Sequence, residues 1–274
     1  MFDPSRSKLR SRIDRGDCIG VVWLAMGSVA MVEAAARSRP DAIVLDLQHG
    51  LWDRRDMEAA IGIVPPDVPV LVRVAENSAT AIGQALDAGA EGVIVPLVET
   101  AKQAAKAVSF ARFPPHGTRS GGGVRPLADF ISYTQAAERG ILVMVMIETA
   151  RGVKNARRIA DVDGIDMVFI GTGDLALSIG TFPNADPRHE EACETVRQAC
   201  RAAWTSCGTF TTSMEAAIER RAQGYRMVVT ANDIDLVSRG FNLAAASFSA
   251  PAQPRPAAET KPAVAPIPLR QAAQ

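Results

Sequence analysis

The chain has 274 residues, 47% hydrophobic and 22% charged, which suits an ordinary folded protein of the length that one α/β barrel needs. Lysine plus arginine and aspartate plus glutamate both number 30, so the formal net charge is zero, and only 5% of the residues are aromatic. We therefore expect neither a basic surface for nucleic acid or anionic membranes nor a surface that stacks bases.

The first residues, 1–17, are polar and charged and lack the apolar centre of a signal peptide. No apolar run reaches about 18 residues, so no membrane span is expected. The four cysteines, Cys18, Cys193, Cys200 and Cys207, include no Cys-x-x-Cys pair. We interpret them as free thiols of a cytoplasmic protein rather than as ligands of a soft metal.

Short apolar runs, most of them rich in valine and isoleucine, recur along the chain. Nearly continuous apolar runs are typical of strands buried on both faces, as in a parallel sheet covered by helices. Eight runs predict strands, at residues 20–26, 42–47, 69–74, 92–98, 141–148, 167–171, 207–211 and 227–230. The run at 207–211 is the weakest of the eight.

The segments between these runs fit helices, several with recognisable ends. Ser78, Thr100 and Ser213 are suited to be N-caps, and Gly89 and Gly224 to stop the helices that precede them. The predicted helices cover residues 28–37, 78–88, 100–111, 190–203 and 214–223. Repeated strand–helix alternation favours a (β/α)₈ barrel, a TIM barrel, with an open doubly wound sheet as the alternative.

Two stretches interrupt the alternation. Residues 113–134 are rich in glycine and proline and predict a long functional loop after strand four, whose Arg-Ser-Gly-Gly-Gly segment at 119–123 would serve as a lid or a phosphate cradle. Residues 250–274 are rich in proline and alanine and predict a disordered or extended tail. We therefore divide the chain into a barrel domain, 1–249, and a tail, 250–274.

Ionisable residues follow several of the predicted strands, where a barrel builds its active site. Asp46, Gln48 and His49 end strand two, Arg73 ends strand three, and Glu148 and Asp174 follow strands five and six. Two carboxylates from neighbouring strands would bind a hard divalent cation and leave other positions to water and substrate. The alternative is a structural hydrogen-bonded or ionic pair in the mouth of the barrel.

His49 is a candidate general base, because its ordinary pKa is near neutrality, although a lone histidine is more often structural. The other two histidines, His116 and His189, are interpreted as surface residues. Arg73 offers a fixed positive charge for a carboxylate or a developing oxyanion. Its alternative role is an ion pair with Asp46 or Glu76.

Four segments together carry a family resemblance: LDLQHG at 45–50, and the longer stretches 72–100, 111–123 and 147–180. With them the chain resembles the HpcH/HpaI aldolases over about residues 20–248. These are metal-dependent class II pyruvate aldolases, which cleave 4-hydroxy-2-oxo acids to pyruvate and an aldehyde. The resemblance implies a small 2-oxo acid and an aldehyde as partners.

The resemblance also implies a role for each matching residue. Glu148 and Asp174 would hold Mg²⁺, Mn²⁺ or Co²⁺, with no other cofactor. His49 would be the base, Asp87 the carboxylate that strengthens it, and Arg73 the group that stabilises the oxyanion. Gly173 with Asp174 would bind the pyruvate carboxylate through backbone N–H groups. A homo-oligomer is implied as well, commonly a hexamer built from three dimers that exchange a C-terminal helix, here predicted at 235–246.

Some positions depart from the family pattern. Gln48 stands where glutamate is usual, Met146 where a substrate-binding glutamine is usual, and Thr172 begins an altered strand-six motif. Because methionine donates no hydrogen bond, the substrate contact at Met146 changes. Two other functions therefore stay open. One is a Claisen-type lyase or citrate-forming enzyme with coenzyme A room at the 113–134 loop, and the other is a barrel that binds a 2-oxo acid without turnover.

Overall fold

The computed structural model describes residues 8–183 and 186–249 and has eight parallel strands in a closed barrel. Each strand pairs with its neighbours in chain order, and the last pairs with the first. The predicted (β/α)₈ barrel is confirmed and the open sheet is wrong. The strands are β1 Ile19–Leu24, β2 Ala42–Asp46, β3 Val70–Arg73, β4 Gly92–Val95, β5 Leu142–Ile147, β6 Met167–Ile170, β7 Ser206–Thr209 and β8 Met227–Asn232.

Helices connect the strands and cover the outside of the barrel. The side chains of Ser78, Thr100 and Ser213 each accept the backbone N–H three residues on, so these predicted N-caps are confirmed. The helices are α1 Lys8–Asp14, α2 Val29–Arg37, α3 Arg54–Ile63, α4 Ala79–Asp87, α5 Ala101–Ala111, α6 Phe130–Gly140, α7 Ala150–Lys154, α8 Ala156–Ala160, α9 Thr172–Ser178, α10 Pro187–Ala203, α11 Met214–Ala222 and α12 Asp233–Ser249.

The buried apolar side chains form two layers, one on each side of the barrel wall. Alternate residues of each strand point to the barrel interior and to the helices, which explains why the strands are apolar on both faces. In β5 all six residues are buried. Leu9 and Ile13 of α1 join the interior layer and close the amino end of the barrel.

The glycine-rich loop lies at the amino end of the barrel, away from the predicted site. It is shorter than predicted, since α6 begins at Phe130 after a 3₁₀ turn, Pro126–Asp129. Arg119 donates from its backbone to Arg112 just past α5 and from its guanidinium to Asp87, the last residue of α4. In this fold the helices run in the opposite direction to the strands, so the last residues of α4 and α5 lie at the amino end of the barrel. Within a single chain this loop therefore does not cover the strand-end residues, and its predicted role as a lid, a phosphate cradle or room for coenzyme A stays a prediction.

The chain divides into two compact units, Met1–Val237 and Ser238–Gln274, with the boundary inside α12. The first unit holds the barrel. In the second, the described residues complete α12, which covers the predicted helix at 235–246. The predicted tail at 250–274 lies outside the described residues. No helix in the described part of the chain is long and apolar enough to cross a membrane.

Candidate active site

The carboxyl end of the barrel brings together the ionisable residues that the sequence placed at strand ends. Asp46 and Arg73 end β2 and β3 and face each other in register. Glu148 follows β5, and Asp174 lies in the first turn of α9, just after β6. We take these residues in turn, from the most buried pair outwards.

Asp46 clamps Arg73 with a paired ion contact. The Nε atom of Arg73 donates to Oδ1 of Asp46 at 2.8 Å, and Nη2 donates to Oδ2. The indole Nε1 of Trp23 also donates to Oδ2, at 3.2 Å. Burial opposes ionisation of Asp46, but these hydrogen bonds and the charge of Arg73 hold its pKa below the ordinary value. The alternative ion pair of Arg73 is thus present, and it fixes the orientation of the guanidinium.

One nitrogen of Arg73 remains outside this clamp. Its Nη1 contacts the Sδ atom of Met146 at 3.8 Å, and the guanidinium lies 5.1 Å from the centre of the Trp23 ring. A thioether is only a weak acceptor, so Nη1 keeps hydrogen-bonding capacity for a ligand oxygen. Trp23 also stacks on Phe169 and meets Phe210 edge-on. The floor of the site around Arg73 is therefore aromatic and apolar.

Glu148 is buried beside Asp174. The backbone N–H of Leu97 donates to Oε1 of Glu148 at 2.7 Å. Leu97 has a left-handed backbone with φ of 55°, uncommon for a residue with a side chain. Burial, and then the negative charge of Asp174, raise the pKa of Glu148 to about 7 despite the Leu97 hydrogen bond. Two carboxylates that repel each other in a buried place are what a cation would stabilise.

Gly171 keeps open the space beside these carboxylates. A Cβ atom at this position would lie 2.3 Å from Oε2 of Glu148. The two carboxylates and the open space fit a hard divalent cation, since such ions take oxygen ligands and often keep several waters. Among the described residues no group of three or more His, Cys, Asp or Glu side chains has ligand geometry. The remaining ligand positions would thus belong to water or substrate.

His49 stands at the open side of the site. Its Nε2 atom is 3.8 Å from Oδ2 of Asp174, and 59% of its side chain is exposed. Oδ1 of Asp46 accepts the backbone N–H groups of Gln48 and His49 and so shapes the turn that carries the imidazole. An exposed imidazole at this edge can exchange protons with solvent and with a bound substrate.

The first turn of α9 supplies backbone donors. The helix begins after Gly171, which provides no side-chain cap, and Gly173 has open space around it. Backbone N–H groups at a helix start lack partners within the helix and favour anions. The arrangement at Gly173 and Asp174 therefore suits a carboxylate, as the resemblance implied.

Asp87 does not belong to this group within one chain. It ends α4 at the amino end of the barrel, where Arg119 donates to it at 2.8 Å. Arg119 also donates to the hydroxyl of Tyr133 and packs over the ring of Phe113. The predicted pairing of Asp87 with His49 cannot form inside a single barrel, because the two residues lie at opposite ends. The sequence spacing did not reveal that Asp87 and His49 lie at opposite ends, because Asp87 comes after the whole of helix α4 and not directly after a strand.

The other two histidines differ from each other. His116 is exposed, as predicted, but His189 is 9% exposed, so its interpretation as a surface residue is wrong.

Sequence reasoning also missed Trp23 and Leu97, which contact Asp46 and Glu148. Trp23 lies in the middle of a predicted strand and would have been found by asking which residues share the inner face of β1. Leu97 acts through its backbone and left no signal in the sequence.

Comparison with known proteins identifies the family. The sequence model of the HpcH/HpaI aldolase/citrate lyase family matches residues 20–239. A 4-hydroxy-2-oxovalerate aldolase of Rhodococcus jostii is 36% identical over 233 residues, which cover 83% of this chain and 90% of the relative. A hydroxypyruvate/pyruvate aldolase of Paraburkholderia phytofirmans is 32% identical over 240 residues, covering 82% and 91%.

Solved structures give the same result. The crystal structure of an HpcH/HpaI aldolase/citrate lyase family protein from Burkholderia cenocepacia superimposes with a TM-score of 0.84 at 32% identity, covering 89% of this chain and all of that one. The predicted family and the predicted lyase class are thereby confirmed. On its sequence, its barrel and its residues at the carboxyl end, the chain belongs to the HpcH/HpaI aldolase/citrate lyase family.

Proposed function

We propose that this protein is a class II, metal-dependent aldolase that reversibly cleaves a 4-hydroxy-2-oxo acid to pyruvate, or a related 2-oxo acid, and an aldehyde. The observation that carries the proposal is the convergence of Glu148, Asp174, His49 and Arg73 at the carboxyl end of a barrel of this family. The relatives in Rhodococcus and Paraburkholderia are named as aldolases of this kind.

Glu148 and Asp174 would hold Mg²⁺, Mn²⁺ or Co²⁺ through carboxylate oxygens. When bound, the cation supplies positive charge that lowers the free energy of the enolate of the 2-oxo acid. The N–H groups at Gly173 and Asp174 bind the carboxylate of the substrate, so that its reacting end faces His49. Met146 lines the apolar floor and contributes shape rather than hydrogen bonds.

His49 takes the proton from the 4-hydroxyl of the substrate during cleavage. The bond between C3 and C4 then breaks, C4 leaves as the aldehyde, and the electron pair stays with the 2-oxo acid fragment as an enolate, which gains a proton at C3 to give pyruvate. Arg73 offsets negative charge that develops on substrate oxygen through Nη1, the nitrogen outside the Asp46 clamp. The clamp holds the guanidinium in place before substrate arrives, so no reorganisation is needed during the reaction. In the synthetic direction His49 returns the proton.

We further propose that the active enzyme is a homo-oligomer, such as a hexamer built as a trimer of dimers. Asp87 can strengthen His49 as a base only if it comes from a second copy of the chain, because its own barrel places it at the far end. In the second unit, Phe241, Leu243 and Phe248 are exposed apolar side chains, which favours contact with another copy. The four cysteines are free, which supports a cytoplasmic location.

The two alternative functions have less support. The relatives in Rhodococcus and Paraburkholderia are named aldolases, and the 113–134 loop invoked for coenzyme A could reach the site only from a second copy, since it lies at the amino end of its own barrel. Binding of a 2-oxo acid without turnover would need no base, yet His49 stands 3.8 Å from Asp174. The aldolase is therefore the function that the site supports best.

The test offers pyruvate and short aldehydes to the purified protein after treatment with a chelator and after addition of Mg²⁺, Mn²⁺ or Co²⁺. We expect aldol product only with metal, and release of pyruvate when 4-hydroxy-2-oxo acids are supplied. Full activity after complete removal of divalent metal would refute the mechanism. Product from acetyl-coenzyme A and oxaloacetate in the same assay, with none from aldehydes, would favour the citrate-forming alternative.

A further inference from the structure

His189 is a buried histidine that the proposed chemistry does not use. It lies in the first turn of α10, and its Nε2 atom is 3.0 Å from the backbone carbonyl oxygen of Thr172. Thr172 is the first residue of α9, the short helix that carries Asp174. A single hydrogen bond thus connects α10 to the turn that presents one of the two carboxylates.

The tautomer of His189 follows from its surroundings. A carbonyl oxygen only accepts, so Nε2 must carry the proton in this bond. On the other side of the ring, Nδ1 is 4.0 Å from the Sγ atom of Cys193. Burial raises the pKa of the Cys193 thiol to about 11, so this thiol stays protonated and can face a ring nitrogen that lacks a proton. The ring is therefore held with its donor towards Thr172.

Side-chain hydrogen bonds to the start of α9 are few. Gly171 provides no side-chain cap, although its N–H donates to the carbonyl of Ile147 in β5 at 3.2 Å, and the hydroxyl of Thr172 reaches the carbonyl of Phe210 only at 3.4 Å. At the far end, the hydroxyl of Ser178 accepts the N–H of Ala150 at 2.9 Å. At the end that bears Asp174, the 3.0 Å bond from His189 is therefore shorter than the bond from the Thr172 hydroxyl.

Helix α10 is a firm support for this bond. It has 17 residues, and Cys193, Val196 and Cys200 on its inner side are buried against the barrel. Its Glu190 also pairs with Arg220 of α11 at 2.6 Å. A long, packed helix moves little on its own, so a hydrogen bond from it restrains the shorter helix.

We propose that His189 is a positioning residue: through Thr172 it fixes the first turn of α9, and with it the placement of the Asp174 carboxylate for a divalent cation. The inference rests on the proposed function for its metal, but the restraint on α9 is a property of the chain alone. His189 contacts neither metal nor substrate and is not a catalytic residue.

The test compares the full-length wild type with His189→Leu, which removes the donor, and His189→Gln, which keeps one. Cys193→Ala is the matched control, because it removes the neighbour of Nδ1 and leaves the Nε2 donor. Hydrogen–deuterium exchange of the peptide covering α9 is measured on metal-free protein, and the dissociation constant for Mn²⁺ is measured by electron paramagnetic resonance.

In His189→Leu we expect exchange in α9 to rise about tenfold while β5 and α10 exchange as in wild type, since one buried hydrogen bond is lost. The dissociation constant for Mn²⁺ should rise by a similar factor of about ten. His189→Gln should recover most of both effects, and Cys193→Ala should stay within about twofold of wild type. A purely structural role would instead raise exchange throughout the barrel and leave metal affinity of the folded protein unchanged.

Unchanged exchange in α9 of His189→Leu would overturn the inference, as would faster exchange with an unchanged Mn²⁺ dissociation constant. If His189→Leu unfolds, the inference is tested by comparing His189→Gln with His189→Asn. Both substitutions keep a side-chain N–H donor, but the asparagine side chain is shorter, so the two variants should differ in Mn²⁺ affinity. If wild type itself binds no Mn²⁺, the proposed function fails, and exchange in α9 still shows whether His189 holds that helix.

Discussion

Two carboxylate sites at opposite ends of the barrel differ in how their charge is balanced. At the amino end, Asp166 accepts the N–H of Val143 and pairs with Arg10 at 2.7 Å, with Arg112 close by at 3.9 Å. At the carboxyl end, Glu148 and Asp174 lie beside each other without an arginine between them, and the charge of one raises the pKa of the other. Asp166, like Asp46 beside Arg73, is neutralised by an arginine of its own chain, whereas the charge of Glu148 and Asp174 is left for a ligand to neutralise.

Asp166 therefore belongs to the residues that stabilise the fold. Glu148 and Asp174 lower the stability of the metal-free protein, and the proposed function explains why they are there. Removing a charge from a satisfied pair leaves its buried partner alone, which destabilises. Removing a charge from a repelling pair relieves the folded state. The same chemical change, aspartate to asparagine, should therefore have opposite consequences at Asp166 and Asp174.

The largest effect is expected for Asp174→Asn. Loss of a charged oxygen ligand should lower kcat/KM by about a thousandfold, because metal-assisted stabilisation contributes several kcal/mol. The free energy of unfolding of the metal-free protein should stay equal or rise. Aldol assays at saturating Mg²⁺ and urea unfolding with chelator measure the two quantities. A strongly destabilised Asp174→Asn would contradict the separation between the two ends.

The pH dependence of stability is the next largest effect. Burial and Asp174 raise the pKa of Glu148 from 4.5 to about 7, so the folded metal-free protein binds a proton that the unfolded chain has released. In that window stability falls as pH rises, by about 3 kcal/mol at most. We expect Glu148→Gln to lose this dependence and to be the more stable protein at pH 8. Urea unfolding at pH 5 and pH 8 checks it, and parallel curves for the two proteins would refute it.

A smaller effect is expected at the amino end. Asp166→Asn should lower the free energy of unfolding by about 2 kcal/mol, because it weakens the hydrogen bonding of Val143 and leaves Arg10 and Arg112 without their shared carboxylate. At a temperature where the variant is folded, kcat/KM should stay within about twofold of wild type. An activity loss comparable to that of Asp174→Asn would show that the two ends are coupled.

The smallest effect is expected at Met146. Met146→Gln would place an amide next to Nη1 of Arg73 and offer a donor that the thioether lacks. We expect the KM for pyruvate to fall by up to about tenfold, the size of one new hydrogen bond. Met146→Leu is the control, because it keeps the volume, adds no donor and should leave KM unchanged. A higher KM in a well-folded Met146→Gln would mean that Met146 does not face the substrate.

The barrel could be predicted from the sequence because its signal is local. Runs of buried apolar residues, and caps such as Ser78 and Thr100, report on their own segments, and even the weak run at 207–211 overlaps strand β7, Ser206–Thr209. The strand-end residues followed from the fold, because parallel strands bring their carboxyl ends together. For the same reason, an ion pair with Asp46 was one of the alternative roles that the sequence predicted for Arg73.

What escaped prediction depends on helix direction and docking. Asp87 fits a family position in sequence but ends a helix that has run back to the amino end of the barrel. The glycine-rich loop follows α5 and ends up at the same end. His189 follows a polar Asp-Pro-Arg segment, and only the packing of α10 beside α9 buries it. Such contacts between distant segments have no local pattern to find.

Gly171 has a practical consequence for redesign. The volume next to Glu148 exists because one position carries no Cβ, which would approach Oε2 to 2.3 Å. Even alanine would shrink that space, so directed evolution of this scaffold gains nothing by randomising position 171. A library aimed at new 2-oxo acids should hold Gly171 constant and vary Met146 and Phe210, whose side chains belong to the interior apolar layer; the Sδ atom of Met146 would lie 3.2 Å from a Cβ at position 171, so Met146 also sets the size of that space.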